Sequence, residues 1–507
     1  MRPVFRDDHE QFREQVQRFI AQEIAPCYAG WERQGITPKH LWQRAGSAGL
    51  LNCALPEPFG AGGDFGHATV VIKELARANY LGIGFSIHSD MVSPYLLRYG
   101  TPTQQARWLP AMARGECIGA IAMTEPDAGS DLKAIRTRAR PDGNGSYVLS
   151  GQKTFITNGV NAGLVIVAAS TNPELGARGL SLFCLDDGMP GLRKGPPMAK
   201  IGQHAQDTCE LFFDDVQVSV DRLLGAENNG FDLLAQQLAP ERLAIALRAC
   251  ASLEGTLEEA IAYTRQRKAF GRRVIDYQNT RFKLADGRAQ LAMLRVFLDH
   301  CLTLQLQDSL DPVTAAIAKL NATELQGRML DDLLQMYGGY GYMAEYSIGR
   351  AWGCRAGQMA EPEQFQRLVH SLRTGAAQLG HAAAPSLAGA LAASHRLGHI
   401  GRPHPAAGHF HLLQPLALVR HTGGSMGRHT RPGGDSPDDP GRRRGQRPGQ
   451  LPSASAVARA AAHPRDIVRP DRGAVPGIAF PGCRHLQSRL RQPAAAAAAT
   501  CHCAANG

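Results

Sequence analysis

From Gly353 to its end the 507-residue chain has no lysine, no tyrosine and no tryptophan, yet that stretch carries nineteen arginines against seven acidic residues. The whole formal charge of +10 therefore resides there, and residues 1–352 are close to neutral at about −2. This excludes overall basicity as a property of the rest of the chain. Runs such as "GRRRGQRPGQ" and "PAAAAAAT" cannot bury enough apolar surface to offset their ordering entropy. A short helix near "LAGALAASHRLG" is the exception. The tail lacks aromatic interleaving or any nucleic-acid-binding module, so no specific nucleic-acid site is expected. An arginine-rich, lysine-free composition reads as GC-rich DNA translated out of frame.

Paired cysteine spacings are missing too. The eleven cysteines are scattered from Cys27 to Cys503 without a C-x-x-C pattern, which excludes a disulfide framework and points to free, buried thiols in a reducing compartment. The Cys501–His502–Cys503 string is too short to make a metal site alone, and none is expected. "MRPVFRDDHEQF" has no hydrophobic signal core, and no apolar run approaches the ~18 residues of a membrane span. These absences predict a cytoplasmic protein without a membrane span. A hydrophobic content of 44% suits a globular chain of two or three domains.

What is present divides the chain. Over residues 7–25, Phe12, Val16, Phe19, Ile20 and Ile24 line one helical face, with Asp7 and Asp8 as capping candidates and Pro26 at the exit. Residues 1–116 thus predict a helical domain. Between 117 and 222, "CIGAIAM", "SYVLSGQKTFIT", "LVIVAAS", "GLSLFCL" and "CELFFDDVQVSV" are β-rich runs separated by turn signals, predicting a small antiparallel barrel or sandwich. Residues 223–352 return to helical periods over 241–266, 277–306 and 311–336, long enough for a bundle. The segment 353–507 is the basic tail.

In "AMTEPDAGSDL" a strand runs into a turn whose small residues Ala128, Gly129 and Ser130 let backbone amides approach an anionic or planar ligand, while Thr124 and Ser130 supply hydroxyls. Ile121, Phe155 and Ile156 read equally well as barrel core. "LAPERLAIALRAC" sets Glu241 and Arg242 just after Pro240. Taken alone, this is a helix N-terminus with an acid that complements the dipole.

The string "CIGAIAMTEPDAGSDL" resembles the flavin-binding signature of the acyl-CoA dehydrogenase family. The resemblance continues in register through "GQKTFITNG", "AQDTCELFFDDV", "ERLAIA", "YTRQRKAFGRRVIDYQ" and "QMYGGYGYMAEY". With "GIGFSIHS" it is closest to the long-chain branch, and it covers residues 1 to about 352. It implies an α+β fold with an N-terminal helical domain, a middle β-barrel and a C-terminal helical bundle, FAD between barrel and bundle, and a homotetramer or homodimer.

Position by position, the resemblance assigns the flavin to Ile121, Ala122, Met123, Thr124, Glu125, Pro126, Asp127, Ala128, Gly129 and Ser130, and to Phe155, Ile156 and Thr157. Ser130 also touches the acyl-CoA. Arg267, Gln278 and Gln335, Met336, Tyr337, Gly338 and Gly339 fall where relatives hold the pyrophosphate and adenosine across a dimer interface. Gln206, Asp207 and Arg242 match substrate-binding positions. Most relatives carry the catalytic base on a loop near the C-terminus, but the isovaleryl and long-chain branches place it in an "ERL" string on a bundle helix, which Glu241 matches.

The implied reaction is oxidation of acyl-CoA to trans-2-enoyl-CoA within fatty-acid β-oxidation, by removal of an α-proton and transfer of a β-hydride to FAD, with electrons passing to an electron-transfer flavoprotein. Two departures stand against it. Asp232 replaces an aromatic near the substrate, and "GCRAGQMAEPEQFQ" replaces an "IYGGTNEIM" type segment that supplies FAD contacts and an N–H to the thioester carbonyl. Loss of such a donor costs about 3 kcal/mol in barrier height. An acyl-CoA oxidase, or an inactive frameshifted remnant, therefore remains an alternative.

Overall fold

The computed structural model describes residues 4–359. The expectations for the later tail, including its short helix and the Cys501–Cys503 string, lie outside the described residues. Helices α1 (Asp7–Phe19), α2 (Tyr28–Gln34), α3 (Lys39–Ser47), α4 (Phe65–Arg77), α5 (Ser93–Tyr99) and α6 (Pro102–Ala113) form the first part. A π-helical segment, Ile87–Val92, runs directly into α5. The amphipathic face read in 7–25 is buried: Val16, Phe19 and Ile24 join Trp31, Leu41, Trp42 and Phe85 in one core. The capping expectation needs correction, because Arg6 is the N-cap and Asp7 and Asp8 are already helical. There their charges favour the positive end of the helix.

The middle part is a sheet of β1 (Gly119–Ala122), β2 (Arg138–Pro141), β3 (Ser146–Thr157), β4 (Leu164–Ser170), β5 (Leu180–Asp186), β6 (Leu192–Lys194), β7 (Thr208–Ser219) and β8 (Leu223–Leu224). Its order is β6-β7-β3-β2-β4-β5-β8, with β1 also on β4. Each β-rich run of the sequence became a strand. The sheet is mixed, however, since β1 and β2 both pair parallel with β4, contrary to a purely antiparallel expectation.

β4 is buried at every position because both of its faces are covered. Val165, Val167 and Ala169 join the sheet's own interior, whereas Leu164, Ile166 and Ala168 pack with Tyr95 and Leu96 of α5, Trp108 and Met112 of α6 and Leu233 and Leu234 farther along the chain. A continuous apolar run is what a strand covered on both sides requires.

The last part contains α7 (Gly230–Gln266), the two-residue strands β9 (Lys268–Ala269) and β10 (Arg272–Arg273), α8 (Gln278–Leu306), α9 (Pro312–Tyr337) and α10 (Ser347–Met359). α7 has Pro240 in its interior, so the helix start expected at 240–241 is wrong by about three turns. Tertiary packing overrides the proline penalty of about 3 kcal/mol. From Leu243 to Leu257 nearly all of α7 is buried, and at Gly255 an added Cβ would lie 1.9 Å from the Arg77 carbonyl of α4. α10 crosses the boundary expected at 352: Cys354 is buried and its Sγ accepts the Gln203 amide at 3.0 Å.

Candidate active site

The turn after β1 is held from beneath. The fully buried Lys153 of β3 donates from Nζ to Glu125 Oε1 at 2.8 Å and to the Met123 carbonyl at 2.9 Å. The Glu125 carboxylate also accepts the amides of Arg136 at 2.7 Å and Thr137 at 3.0 Å. Burial lowers Lys153 to about 8 while Glu125 pulls it back up. Glu125 itself is pushed up by burial, yet Lys153 and the surrounding donors outweigh that and hold it below its ordinary value. Glu125 and Ala128 close the turn by reciprocal backbone hydrogen bonds, 2.8 and 3.1 Å. Pro126, Asp127, Gly129 and Ser130 are left exposed.

Of the positions assigned to the flavin, Ala122 and Ile156 face the sheet interior, and the Glu125 side chain is spent on Lys153, so these three offer backbone or packing rather than free side chains. Ile121 and Met123 pack partly buried against the cluster that contains Tyr95. Phe155 is not core: a register shift between Lys153 and Ile156 puts it at φ +59° with 63% of its surface exposed. A bulge re-aims a side chain in this way. Thr124 and Thr157 are half-buried, the Thr124 carbonyl accepts the Thr154 amide of β3 at 2.9 Å, and beside Gly129 an added Cβ would meet nothing within 4 Å, so the turn and the end of β3 offer an exposed ring, two hydroxyls and an open glycine backbone. Such a surface fits a planar heteroaromatic group carrying polar edges.

Glu241 is half-buried on α7 and accepts a hydrogen bond from Tyr95 Oη of α5 at 3.3 Å. Burial, together with the adjacent Glu241 charge, keeps the Tyr95 phenol protonated well above its ordinary range. One turn away, Tyr99 Oη donates to Gln236 Oε1 at 2.9 Å and accepts from Gln237 Nε2 at 3.2 Å. Tyr95 shares its apolar cluster with Met123, Ile121 and Leu234, so the carboxylate stands at the junction of β1, α5 and α7. Sequence reasoning missed Tyr95, Tyr99 and Lys153. The first two carried a signal, an i, i+4 pair of aromatics on one helical face.

Arg242 does not share the face of Glu241, because consecutive helical residues diverge by about 100°. It is buried, and its Nη1 donates to the Pro312 carbonyl at the start of α9 at 3.5 Å. That bond links α7 to the start of α9, and the substrate-binding reading of Arg242 stays a proposal. Asp207 is likewise buried, its Oδ2 accepting the amides of Val160 at 2.9 Å and Asn161 at 3.2 Å, which assigns it to the loop after β3. The neighbouring Gln206 is buried with its carbonyl on Lys200 Nζ at 2.7 Å.

Arg267, Gln278 and the Gln335–Gly339 stretch gather away from this junction. Arg267 caps α7 with its guanidinium 5.5 Å from the Tyr340 ring centroid. Tyr337 is buried and stacks on Tyr263 at 4.1 Å, while Gln335, Gly338, Gly339, Arg267 and Gln278 are exposed. Gly338, at φ +58°, ends α9. Elsewhere Asp8, His9 and His67 converge, but Asp64 bonds both imidazoles and Arg6 bonds both aspartates, so these groups serve the starts of α1 and α4.

Three family models cover the described chain: the acyl-CoA dehydrogenase N-terminal domain over residues 6–116, the middle domain over 120–216 and the C-terminal domain over 228–361. The mitochondrial long-chain specific acyl-CoA dehydrogenase of Sus scrofa is 46% identical over 355 residues, 69% of this chain and 82% of the relative. The crystal structure of an acyl-CoA dehydrogenase from Geobacillus kaustophilus superimposes with a TM-score of 0.71 at 37% identity, covering 73% of this chain and 98% of that one. A glutaryl-CoA dehydrogenase from Mycobacterium smegmatis, in complex with FADH2, gives a TM-score of 0.67 at 26% identity over 73% and 95% of the two chains. Three matched domains in the order of the three structural parts, with an acid at their junction, make this chain a member of the acyl-CoA dehydrogenase family, an oxidoreductase of acyl thioesters.

Proposed function

We propose that the protein oxidises acyl-CoA to trans-2-enoyl-CoA with Glu241 as the base, a reading carried by the placement of its carboxylate between α5 and α7 at the edge of the β1 cluster. Glu241 takes the proton from the carbon beside the thioester carbonyl. Tyr95 holds the carboxylate in place through its hydroxyl, and an acyl chain seated beside it would exclude water, which strengthens the pull on that proton. FAD, when bound, supplies the acceptor for the hydride released from the neighbouring carbon. Thr124, Thr157, Phe155 and the Gly129–Ser130 backbone would hold its ring system.

The exposed Arg267, Gln278 and Gln335–Gly339 would hold the pyrophosphate and adenosine of a flavin bound to a second copy, which makes the working form a homodimer or homotetramer. Electrons leave to an electron-transfer flavoprotein. Among the described residues no helix is long and apolar enough to cross a membrane, and the eight described cysteines are unpaired, which supports a cytoplasmic setting.

The test is the visible spectrum of the purified protein before and after anaerobic addition of octanoyl- or palmitoyl-CoA. Bleaching of the oxidised flavin band supports the reading, and Glu241→Gln is expected to slow it by about 10²- to 10⁴-fold. A variant that bleaches as fast as wild type removes the base assignment. Oxygen uptake during turnover assigns the oxidase instead.

A further inference from the structure

α7 runs as one helix from Gly230 to Gln266 with Pro240 in its interior. Proline has no amide hydrogen, so the carbonyl of Gln236, one turn earlier, lacks the donor that would continue the ladder, and the pyrrolidine ring crowds that carbonyl. The break coincides with a change of neighbours. Before it, Leu233 and Leu234 pack with Tyr95 and Leu96 of α5 and Leu164 and Ile166 of β4. After it, Leu243, Ala244 and Leu247 pack with Leu298 of α8 and Ala318 and Leu325 of α9. Glu241 is the first residue past the proline, at the point where α7 passes from one core to the other.

α5 bonds α7 on both sides of this point. Tyr99 takes the side before it, its Oη donating to Gln236 Oε1 at 2.9 Å and accepting from Gln237 Nε2 at 3.2 Å. Tyr95 takes the side after it, donating to Glu241 Oε1 at 3.3 Å. The spacing matches on the two helices. Tyr95 to Tyr99 and Gln237 to Glu241 are both steps of four residues, about 6 Å of rise, and the two tyrosine rings are 6.0 Å apart. Tyr95 and Gln237 are buried, so each rung has one member shielded from competing water.

A carboxylate that takes a proton from carbon must stand within a fraction of an ångström of its line of approach. A helix that has lost a backbone bond at the preceding residue bends more readily at that place. Two hydroxyl rungs from a neighbouring helix, one on each side, remove that freedom.

Resting on the reading of Glu241 as the base, we propose that Tyr99 is a positioning residue for it: Tyr99 and Tyr95 splint α7 across the break at Pro240 and so fix where the carboxylate stands. Tyr99 touches no reacting atom in this role and acts through the backbone of α7.

The experiment uses the full chain loaded with FAD as wild type, Tyr99→Phe, Pro240→Ala and the double variant. Anaerobic bleaching of the flavin by octanoyl-CoA gives a saturating rate and a half-saturating concentration, and backbone hydrogen exchange over residues 234–246 is followed without substrate. Tyr99→Phe is expected to lower the saturating rate about 10-fold, to leave the half-saturating concentration within about twofold, and to speed exchange about two- to tenfold. Gln237→Leu cuts the same rung from α7 and should speed exchange as Tyr99→Phe does. Pro240→Ala restores the missing donor, so it should raise the unfolding temperature by several degrees and reduce each cost of Tyr99→Phe to below about twofold. Equal costs of Tyr99→Phe with and without the proline, an effect confined to the half-saturating concentration, or exchange unchanged by both Tyr99→Phe and Gln237→Leu overturns the proposal. The exchange measurement needs no turnover. If wild-type flavin fails to bleach while Tyr99→Phe speeds exchange only where Pro240 is present, the splint stands and the oxidation reading falls.

Discussion

Replacing Lys153 by methionine removes the ammonium that bridges Glu125 and the Met123 carbonyl while nearly keeping the volume of the side chain. Lys153 is fully buried and Glu125 is 5% exposed, so the carboxylate left behind cannot be rescued by water. It retains the amides of Arg136 and Thr137 but loses its counter-charge at 2.8 Å. Breaking one partner out of a buried pair costs about 3–5 kcal/mol. Removing both charges together, in Glu125→Gln with Lys153→Met, should cost about 2 kcal/mol less than the sum of the two single changes. The assay is urea unfolding followed by tryptophan fluorescence at fixed protein and FAD concentrations, since a ligand that binds the native state shifts the midpoint. Flavin retained after gel filtration is the second readout, because the pair supports the turn that carries Thr124 and Ser130. A single-variant cost below about 1 kcal/mol, or strict additivity of the two changes, would refute the claim that this pair holds the turn.

The buried His88 is the basis of a pH prediction. Its Nδ1 accepts the Gly119 amide at 2.9 Å and its Nε2 faces the Met112 carbonyl at 3.1 Å, and burial lowers its pKa from 6.5 to about 4. The unfolded chain binds the extra proton first as pH falls, so stability is full above 6.5 and about 3 kcal/mol is lost between 6.5 and 4. His88→Gln, which cannot titrate, should show a flatter profile over that window; the opposing slope from Asp90, which burial pushes up to about 7, cancels in the comparison, and identical profiles would discard the idea. Gly255→Ala gains helix propensity but drives a methyl into the Arg77 carbonyl, so a net loss of about 2 kcal/mol in denaturant unfolding is expected. A stabilised variant would mean that α4 and α7 are not in such close contact.

The sequence showed the three-part division because period and composition are local. Alternation in "SYVLSGQKTFIT" and continuous apolarity in "LVIVAAS" became β3 and β4 with almost no change of boundary. The parallel pairings of β1 and β2 with β4 were invisible, since strand direction depends on connections distant in sequence. Pro240 misled for a related reason: a local signal for a helix start is overruled when packing covers the helix on both sides of it. Arg242 was paired with Glu241 by adjacency in the string, whereas helical geometry sends the two side chains to different neighbours. The Lys153–Glu125 contact joins residues 28 positions apart, and nothing local in either segment announces it.

α7 spans 37 residues, a rod of roughly 55 Å. Along it come Leu233 and Leu234 against the sheet, Glu241 facing Tyr95, Arg248 on the Leu81 carbonyl, Gly255 pressed on α4 and Arg267 at the exposed end. A single helical rod therefore holds the sheet contact, the carboxylate, the α4 contact and the exposed end at fixed spacings along one axis. Lengthening or shortening α7 by a whole turn between Glu241 and Gly255 would be expected to break either the Tyr95 contact or the close approach to α4, since one axis sets both.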